Sequence, residues 1–374
     1  MKIPFFEPWV TEADKNFIKK SMSQQWLTNG PFLKKFESKI SNFINTKYSL
    51  GVGSATHALH LSLRSIGISP NDEVIVPTLT FAATANAVIY CGAKPILADV
   101  AYDTFNIDPN DLESKITKRT KAVIVVHYGG QACDMKEIMT ICKKNNLKLI
   151  EDCAHSFGST YKQKNCGTFG ETGCFSFYPT KIITTGEGGA ITTNSSELFK
   201  KISSLRSQGL SISSSERAKV GSWKYDVVDL GYNYRLDEIR SSLGLSQINR
   251  VKQINKKRIK IAGKYDSLLK NIQGIIIPKR FKDRNHIYHL YTIKINKDFH
   301  LTRDELHKKL FDAGIGTSVQ YIPLHMLSYY KNKFKLTKNG FPIANRLYDE
   351  ILSLPIFPTM TDKQVQFVCS IIQK

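Results

Sequence analysis

The sequence has 374 residues, more than one simple hydrophobic core usually holds, so it suits a large domain joined to a smaller one. Its apolar content is ordinary for a globular protein, and no apolar run is long enough to cross a bilayer. The formal charge of +21 would suit a polyanionic partner, but the lysines are spread along the chain, so we interpret it as a solvated basic surface.

The N-terminus and the cysteines favour a reducing, intracellular setting. Met1–Phe5 lacks the apolar stretch of a secretory signal, so we expect a cytoplasmic protein without a membrane partner. The seven cysteines form no CxxC pair and are odd in number, which predicts buried free thiols rather than a disulfide framework. No histidine, cysteine and carboxylate cluster has metal-ligand spacing, and we predict no metal.

Short β-branched runs alternate with helical patterns over the first half of the chain. This order predicts an α/β fold with a mostly parallel sheet covered by helices on both faces. Ligands of such sheets bind at the carboxyl ends of the strands, so functional residues should directly follow strands. The predicted strands are Glu73–Val76, Pro95–Ala98, Ala122–Val126, Leu147–Glu151, Cys174–Phe177 and Gly189–Thr193. The predicted helices are Ala55–Ile66, Ala82–Tyr90, Pro109–Ile116, Met135–Lys144 and Glu197–Ser207.

The pattern changes after about residue 236, where a long helical stretch from Asp237 to Leu269 leads into a smaller α+β region. We therefore predict a large domain over residues 1–248 and a small C-terminal domain over residues 249–374.

Three shorter segments complete this organisation. Arg250–Lys260 is the densest basic stretch and has apolar residues at helical spacing, which predicts a helix with one solvated basic face. Beyond it, His289–Ile295 is predicted as a strand and Arg303–Ala313 as a helix. The serine-rich Ser211–Ser215 is predicted to be a mobile loop, since patterned sequence resumes directly after it.

Small residues precede the helix predicted to begin at Ala55, in the run GVGSAT at Gly51–Thr56. Backbone N–H groups at a helix N-terminus bind phosphate well. The run lacks the Gly-Lys-Ser/Thr end of a Walker loop and does not match GxGxxG. Taken alone, it is explained more simply as an ordinary capped helix start.

Asp152 ends an apolar strand, in the run EDCAH at Glu151–His155. A carboxylate at this position could pair with the cation of a bound cofactor. It could equally cap the N-terminus of the segment that follows. This motif alone leaves both interpretations open.

Lys181 follows an apolar strand and precedes the glycine-rich turn Gly186–Gly189. A lysine at a strand end, inside a pocket, can lose its proton and attack a carbonyl. That is the requirement for a Schiff base with pyridoxal phosphate (PLP), whose pyridinium nitrogen needs an anionic partner such as Asp152. Taken alone, Lys181 could also be a surface residue.

The sequence resembles the sugar aminotransferases of PLP fold type I, of the DegT/StrS type, from about Ile3 to Pro358, because it contains the family's motifs in the same order along the chain. Several ordered motifs at matching spacing are far more specific than any one of them. They are WLTNGP at Trp26–Pro31, GVGSATHALHLSL at Gly51–Leu63, DEVIVPTLTF at Asp72–Phe81, EDCAHSFGS at Glu151–Ser159, FSFYPTKIITTGEGG at Phe175–Gly189 and LGYNYRLDE at Leu230–Glu238.

The resemblance implies a cofactor-binding role for each matched position. Lys181 would hold PLP and move protons, and Asp152 would bind the pyridinium nitrogen. His155 would hydrogen-bond the ring oxygen, and Phe81 would stack on the ring, with core packing as the alternative for Phe81. The phosphate would be held by Ser54, Ser176 and the backbone N–H of Ala55.

The resemblance also implies a homodimer with a shared active site, because Asn233 would reach the phosphate of the neighbouring subunit's cofactor. His127 could face the cofactor, although packing is favoured. Gln208 stands where many relatives carry histidine, so substrate details from that loop do not transfer. Candidates for substrate contact, each with a structural role as the alternative, are Thr28, Asn29, Arg235, Tyr321 and His325.

The implied activity is transfer of an amino group from glutamate to C4 of a nucleotide-linked 4-keto-6-deoxy sugar, in two half-reactions of PLP and its pyridoxamine form. C4 is favoured because C3-aminating relatives continue Lys-Asn-Leu-Gly-Ala, whereas Lys181–Gly189 reads KIITTGEGG. The alternatives are C3 amination of a 3-keto nucleotide sugar, a PLP-dependent sugar dehydratase, which would carry histidine in place of Lys181, and a non-catalytic PLP-bound regulator or basic nucleic-acid binder. We predict no nucleic-acid partner, because no nucleic-acid-binding motif is recognisable.

Overall fold

A computed structural model of the protein describes residues 1–212 and 221–374, so most of the predicted loop Ser211–Ser215 lies outside the described residues. The helices of the described chain are α1 (Glu12–Met22), α2 (Pro31–Ile44), α3 (Ala55–Ser65), α4 (Ala82–Tyr90), α5 (Pro109–Ser114), α6 (Met135–Lys144), α7 (Ser196–Leu205), α8 (Glu238–Ile248), α9 (Val251–Leu269), α10 (Arg303–Asp312), α11 (Ser328–Phe334), α12 (Pro342–Glu350) and α13 (Asp362–Gln373). The strands are β1 (Tyr48–Val52), β2 (Glu73–Pro77), β3 (Lys94–Ala98), β4 (Thr120–Val126), β5 (Lys148–Asp152), β6 (Thr160–Tyr161), β7 (Lys164–Asn165), β8 (Thr172–Ser176), β9 (Gly189–Thr193), β10 (Ile275–Ile276), β11 (Arg284–Asn285), β12 (Tyr291–Ile295) and β13 (Ile351–Leu354).

The central sheet has seven strands in the order β1-β9-β8-β5-β4-β2-β3. Neighbouring strands from β8 to β3 run parallel, whereas β9 is antiparallel to both β1 and β8. The predicted α/β class with a mostly parallel sheet is therefore confirmed. All six strands and five helices predicted for this half are present, with boundaries that differ by at most two residues.

Both faces of this sheet are buried, because successive side chains of a strand point to opposite sides. Ile75, Val123 and Phe175 belong to one hydrophobic cluster, on the face that packs α2, α6 and α8. Val74 and Ile150 belong to a second cluster, which includes α3 and α4. The near-continuous apolar runs of the strands follow from this burial on both sides.

Strand β1 was not predicted. Its sequence YSLGV contains a serine and a glycine, which weaken the apolar pattern, yet it pairs with β9 along its whole length. Its end at Val52 leads directly into α3, so this edge strand sets where that helix begins.

The predicted helical stretch from Asp237 to Leu269 is present as two helices, because α8 ends at Ile248 and α9 begins at Val251. At the junction the guanidinium of Arg250 donates hydrogen bonds to both carboxylate oxygens of Asp14, at 3.0 and 2.8 Å. This ion pair between Arg250 and the buried Asp14 of α1 connects the break between α8 and α9 to the N-terminal segment.

The basic face predicted for Arg250–Lys260 is only partly correct. Lys252, Lys256 and Lys260 are exposed, but Arg258 lies in the interior with 3% of its surface exposed. A charged side chain that is buried among apolar neighbours requires a structural or functional explanation.

A second, antiparallel sheet has the order β10-β12-β13 and lies over a third hydrophobic cluster, formed mainly by residues 261–372. The strand predicted from His289 is shorter, at Tyr291–Ile295, and the predicted helix Arg303–Ala313 ends one residue earlier. The domain limits 1–248 and 249–374 stay a prediction. All seven cysteines are buried free thiols, as predicted. In the described parts of the chain, no helix combines the length and apolar character needed to span a membrane.

Candidate active site

Four chain segments meet at one edge of the central sheet. Asp152 at the end of β5 is in register with Cys174 of β8, and Ser176 at the end of β8 is in register with Gly189 at the start of β9. Gly189 in turn pairs with Val52, the last residue of β1. The register of the sheet therefore brings together residues that are distant in sequence, at the edge where parallel sheets bind ligands.

Lys181 lies in the loop that connects β8 to β9. The loop is closed by hydrogen bonds of Phe177, whose N–H donates to Gly188 and whose carbonyl accepts from Thr185, both at 2.9 Å. The side chain of Lys181 is half-buried, and within the described residues no hydrogen bond or ion pair engages its Nζ. Burial lowers the pKa of Lys181 to about 8, although the charge of Asp152 opposes this shift. The amine is therefore suited to exchange a proton near neutral pH.

Asp152 is 5% exposed and has no cationic partner within ion-pair distance in the described residues. Its Oδ2 accepts a hydrogen bond from Thr84 Oγ1 at 2.9 Å, and its Oδ1 accepts one from the N–H of Ala154 at 3.1 Å. Burial raises the pKa of Asp152, while these bonds and Lys181 act in the other direction. A buried carboxylate held in place but lacking a cation is suited to bind a cationic ligand group. The alternative role of Asp152, capping a helix in the segment that follows, does not hold. Its Oδ1 accepts from the N–H of Ala154, but the described residues between β5 and β6 form no helix.

His155 is buried and held from both sides. Its Nδ1 accepts from the N–H of Gly129 at 3.3 Å, and its Nε2 lies 3.0 Å from the hydroxyl of Tyr321. The bond to Nδ1 places the proton of the neutral ring on Nε2, which then donates to Tyr321. Burial and nearby Lys181 hold the pKa of His155 well below its ordinary value, so the ring is neutral. The pairing joins two candidates that the sequence placed 166 residues apart.

The start of α3 approaches the sheet edge closely. Ser54 is the N-cap of this helix, and its hydroxyl accepts from the N–H of His57 at 3.2 Å. The N–H groups of the first helical residues, beginning with Ala55, have no partner inside a helix. Gly189 lies against Ser54 so closely that a side chain at position 189 would come within 2.7 Å of the carbonyl oxygen of Ser54. Ser176 is the last residue of β8 and is in register with Gly189, so it lies at the same sheet edge as the start of α3.

Phe81 directly precedes α4 and is 62% exposed. Its ring lies 5.8 Å from that of Tyr321, measured between centroids. Core packing, the alternative considered for Phe81, is therefore wrong. An exposed aromatic ring at this edge offers its face to a flat ligand.

The NYR segment, Asn233–Arg235, runs beside β1. The carbonyl of Tyr234 accepts from the N–H of Gly53 at 2.9 Å, and Arg235 forms a bridge with Val52. Asn233 is exposed. The half-buried guanidinium of Arg235 has no carboxylate partner in the part of the chain that the structure describes.

The segment Trp26–Pro31, called the entry segment below, is fixed to this region through α8. Thr28 is exposed and forms a bridge with Asp237, and Asn29 adopts a left-handed conformation with φ 54°. The buried carboxylate of Glu238 accepts from the N–H groups of Gly30, Phe32 and Leu33 at 2.9, 2.8 and 3.0 Å. It therefore caps the N-terminus of α2 and holds the adjacent Thr28 and Asn29.

His325 differs from the other candidates, because it is 1% exposed and both its ring nitrogens are engaged. Nδ1 lies 2.7 Å from Thr78 Oγ1, and Nε2 lies 2.8 Å from Asn345 Oδ1. No hydrogen-bonding position is left for a ligand, so the geometry favours the structural alternative.

His127 is also structural. Its Nδ1 accepts from the N–H of Cys133, and its Nε2 lies 3.0 Å from Glu151. With Cys153, these two side chains bring potential ligand atoms within 4.8 Å of one another. The carboxylate of Glu151 is already used, however, because it accepts from the N–H groups of Gly167, Phe169 and Gly170 at 2.7, 2.6 and 2.9 Å.

Two residues of this region, Thr84 and Glu238, were not singled out from the sequence. Thr84 contacts Asp152 across 68 residues, and Glu238 contacts α2 across more than 200. Glu238 does stand at the end of the LGYNYRLDE motif, which was the available signal. Nothing in the local pattern around Thr84 predicts its contact.

The sequence matches the DegT/DnrJ/EryC1/StrS aminotransferase family over residues 8–373. It is 37% identical over 374 residues to the GDP-perosamine synthase of Escherichia coli O157:H7, covering 100% of this chain and 98% of that protein. It is 35% identical over 362 residues to the UDP-4-amino-4,6-dideoxy-N-acetyl-beta-L-altrosamine transaminase of Campylobacter jejuni, covering 96% and 93%. Its fold is similar to that of Spr1654 from Streptococcus pneumoniae in the PMP form, with a TM-score of 0.94, 29% identity and coverage of 100% and 98%, and a PLP form of that protein has also been solved.

The geometry of the site fits PLP. The cofactor has a cationic ring nitrogen, an aldehyde, a flat ring and a phosphate. The sheet edge offers a buried carboxylate without a cation at Asp152, an amine with a lowered pKa at Lys181, an exposed aromatic ring at Phe81, and the start of α3 at Ser54. Each group of the cofactor thus meets a complementary residue in the same region.

Proposed function

The chain belongs to the DegT/DnrJ/EryC1/StrS aminotransferase family, and from this membership we propose that it moves an amino group from glutamate to C4 of a 4-keto-6-deoxy sugar carried on a nucleoside diphosphate. Its cofactor is PLP. The observation that carries the proposal is the half-buried, unpaired Lys181, with a pKa lowered to about 8, within the electrostatic influence of the buried Asp152.

When bound, PLP supplies a carbonyl that takes up the amino group and a ring that delocalises the charge developing on the substrate carbon. Lys181 Nζ would hold the cofactor until the donor's amine displaces it. The freed Lys181 amine would then take the proton from the donor's α-carbon and pass it to the cofactor carbon, and in the second half-reaction it would move a proton from that carbon to the sugar carbon. A pKa near 8 suits both uptake and release of a proton, because the amine is then neither fully protonated nor a very strong base.

The surrounding residues hold the reacting groups. The Asp152 carboxylate, fixed by Thr84 and Ala154, binds the ring nitrogen and keeps it protonated. Neutral His155 accepts from Gly129 and donates to Tyr321, so both its ring nitrogens are engaged. It would therefore act on the ring oxygen through the hydroxyl of Tyr321, which it holds in place. Phe81 covers the face of the ring.

The phosphate is bound by the start of α3 and the end of β8. Ser54 and Ser176 contribute hydroxyl groups, and the backbone N–H of Ala55 donates along the helix axis, where the helix dipole favours an anion.

A nucleotide-linked acceptor is supported by the relatives. One is named for a GDP-linked product and the other for a UDP-linked sugar with an amino group at C4, and each aligns with nearly the whole chain. The unpaired Arg235, at the sheet edge, is a suitable partner for an anionic substrate group, and Thr28 and Asn29 lie on the segment held by Glu238. The KIITTGEGG sequence after β8 is the support for C4 over C3.

We also propose that the working unit is a homodimer. Asn233 is exposed, as a residue that completes a neighbour's site must be. Val227, Val228 and Leu230, a few residues earlier, are exposed by 58, 61 and 71%. Large exposed apolar side chains grouped in this way are typical of protein interfaces.

The experiment uses the protein in its pyridoxamine form. It is mixed separately with a nucleoside diphosphate 4-keto-6-deoxy sugar and with a 3-keto nucleotide sugar, and the products are assigned by NMR. We expect an amino group at C4 of the first and no product from the second. Amination of only the 3-keto sugar would contradict the regiochemistry, and no amination of either sugar would contradict the acceptor class.

A further inference from the structure

A small cavity lies beside Lys181, between the N-terminal segment and the C-terminal part of the chain. Its volume is about 70 Å³. Its wall includes Phe5, Lys181, His289, Gln320, Tyr321 and Ile356. By this measure a single water molecule needs about 10–15 Å³, so the cavity has room for a group of a few heavy atoms, such as a carboxylate.

His289 brings unused hydrogen-bonding capacity to this wall. The residue is 6% exposed, and its Nδ1 is buried without a hydrogen-bond partner in the described chain. Oε1 of Gln320 is also buried and unpartnered. Buried polar atoms are nearly always hydrogen-bonded in folded proteins, so two unsatisfied ones on residues of one cavity wall point to a missing polar group. Of the two residues, the His289 ring can donate to an anion, whereas the amide oxygen of Gln320 accepts only.

The surroundings of His289 are basic. The ring of His155 packs against it with centroids 4.3 Å apart, and Lys181 shares the cavity wall. The buried Arg258 lies directly behind, and none of the described carboxylates forms an ion pair with it. Asp152 is the carboxylate whose charge acts on Lys181. The positive charges of Lys181 and Arg258 favour an anion over a neutral group, whereas the neutral His155 ring contributes no charge.

Arg258 also fixes the shape of the cavity. Its Nη1 donates to the carbonyl oxygens of Tyr288, His289 and Ile356, at 3.3, 3.3 and 3.0 Å. Two of these three residues form part of the wall. Its Nε remains without a partner. The buried guanidinium thus holds the wall in position while its charge is not neutralised by the protein.

We propose that this cavity binds the α-carboxylate of the amino donor, with His289 as the contacting residue and Arg258 as a positioning residue. This inference rests on the proposed function, because it requires an amino acid to react beside Lys181. The α-carbon of an amino acid carries both the amino group and the carboxylate, so a donor that reacts at Lys181 places its carboxylate one bond from the reacting carbon. A carboxylate matches the cavity in both size and charge, whereas a keto-sugar has no such group at its reacting carbon.

The test separates the donor from the acceptor in the holoenzyme. Binding of glutarate, a dicarboxylate without an amino group, is measured by calorimetry, and the two half-reactions are followed separately in single turnovers with glutamate and with the keto-sugar. The variants are His289→Leu, which removes the polar ring, and His289→Asn, which retains a polar group near the position of Nδ1. His60→Leu is the matched control, because His60 is 4% exposed, has an unpartnered Nε2 and lies on α3 outside the cavity wall.

We expect His289→Leu to weaken glutarate binding and to slow the glutamate half-reaction by about tenfold or more, since hydrogen bonds to charged groups are strong. The keto-sugar half-reaction should change much less, and His289→Asn should recover most of the loss. Unchanged glutarate binding in His289→Leu, or an equal loss in both half-reactions, would overturn the proposal. A wild-type protein that never reacts with glutamate contradicts the proposed donor instead, and the glutarate measurement does not depend on that reaction.

Discussion

At the scale of single residues, burial decides what Lys181 can do. The fold lowers its pKa from 10.5 to about 8 because a charged ammonium group is poorly solvated in this loop. Between these two values the unfolded chain binds a proton that the folded chain does not, so stability should rise with pH in this window. Below about pH 8 the folded state carries the cost of burying the charge.

Lys181→Met should therefore stabilise the cofactor-free protein at pH 7, by up to a few kcal/mol, since each pKa unit corresponds to about 1.4 kcal/mol. The difference between variant and wild type should shrink as the pH rises from about 8 to 10.5. Urea unfolding of both proteins across this range measures it. A constant difference would mean that the pKa of Lys181 is not lowered.

Asp152→Asn should impair the chemistry far more than the fold. The amide keeps the size of the side chain and one of the two oxygens that accept from Thr84 and Ala154, but the negative charge at the ring nitrogen is lost. We expect PLP to bind and turnover to fall by about 10²-fold or more. Rapid kinetics and the visible absorption spectrum measure the two effects separately. Near-normal turnover in a PLP-loaded variant would rule out the role.

Lys181 and Asp152 could be predicted from the sequence because each directly follows a recognisable strand, and strand ends converge in a parallel sheet. The bond between His155 and Tyr321 could not, since it depends on how the C-terminal segment folds back over the sheet. Burial of Arg258 escaped prediction for a related reason. Its position in a lysine-rich helix predicts a solvent-exposed side chain. Its hydrogen-bond partners are backbone carbonyls of residues distant in sequence, such as Tyr288 and Ile356.

At the scale of elements, the entry segment and the NYR segment are coupled through one carboxylate. Glu238, at the start of α8, accepts from three backbone N–H groups at the start of α2. The side chain lies 2.7 Å from the position that a side-chain carbon at residue 30 would occupy, so Gly30 is required for this close approach. The position of Thr28 and Asn29 therefore depends on α8.

Glu238→Gln should lower the free energy of unfolding by about 2 kcal/mol, because the amide loses the charge and one acceptor position facing these donors. The KM for the nucleotide sugar should rise more than that for glutamate if the entry segment contacts the sugar. Denaturant unfolding and steady-state kinetics test this. Glu197→Gln is the control, since Glu197 is an exposed carboxylate in the first turn of α7. Equal effects of the two substitutions would contradict the capping role.

At the scale of the whole molecule, two predicted cofactor-binding residues, Phe81 and Asn233, lie on the surface of the single chain. Both are exposed, although the cofactor-binding role expected of each requires a close contact. The proposed homodimer requires a second copy of the chain near Asn233, where Val227, Val228 and Leu230 are also exposed. In this proposal, the site is complete only in the dimer.

Co-expression of Lys181→Ala and Asn233→Ala tests the shared site. Each variant alone should be impaired, but in a mixed dimer one of the two sites combines an intact Lys181 with the partner's intact Asn233. Random pairing in a symmetric dimer then gives about one quarter of the wild-type activity per chain. Activity no greater than the average of the two separate variants, from a preparation that light scattering shows to be dimeric, would place both residues in the same subunit's site.

Borohydride trapping identifies the lysine to which PLP is attached, which we expect to be Lys181. Reduction makes the link between the lysine and the cofactor permanent, so the labelled residue can be located by peptide mass spectrometry. We predict that the label lies on the peptide that contains Lys181, and that prior conversion to the pyridoxamine form with glutamate prevents labelling. A label on any other lysine, or a PLP-loaded protein that gives no labelled peptide, would show that Lys181 does not hold the cofactor.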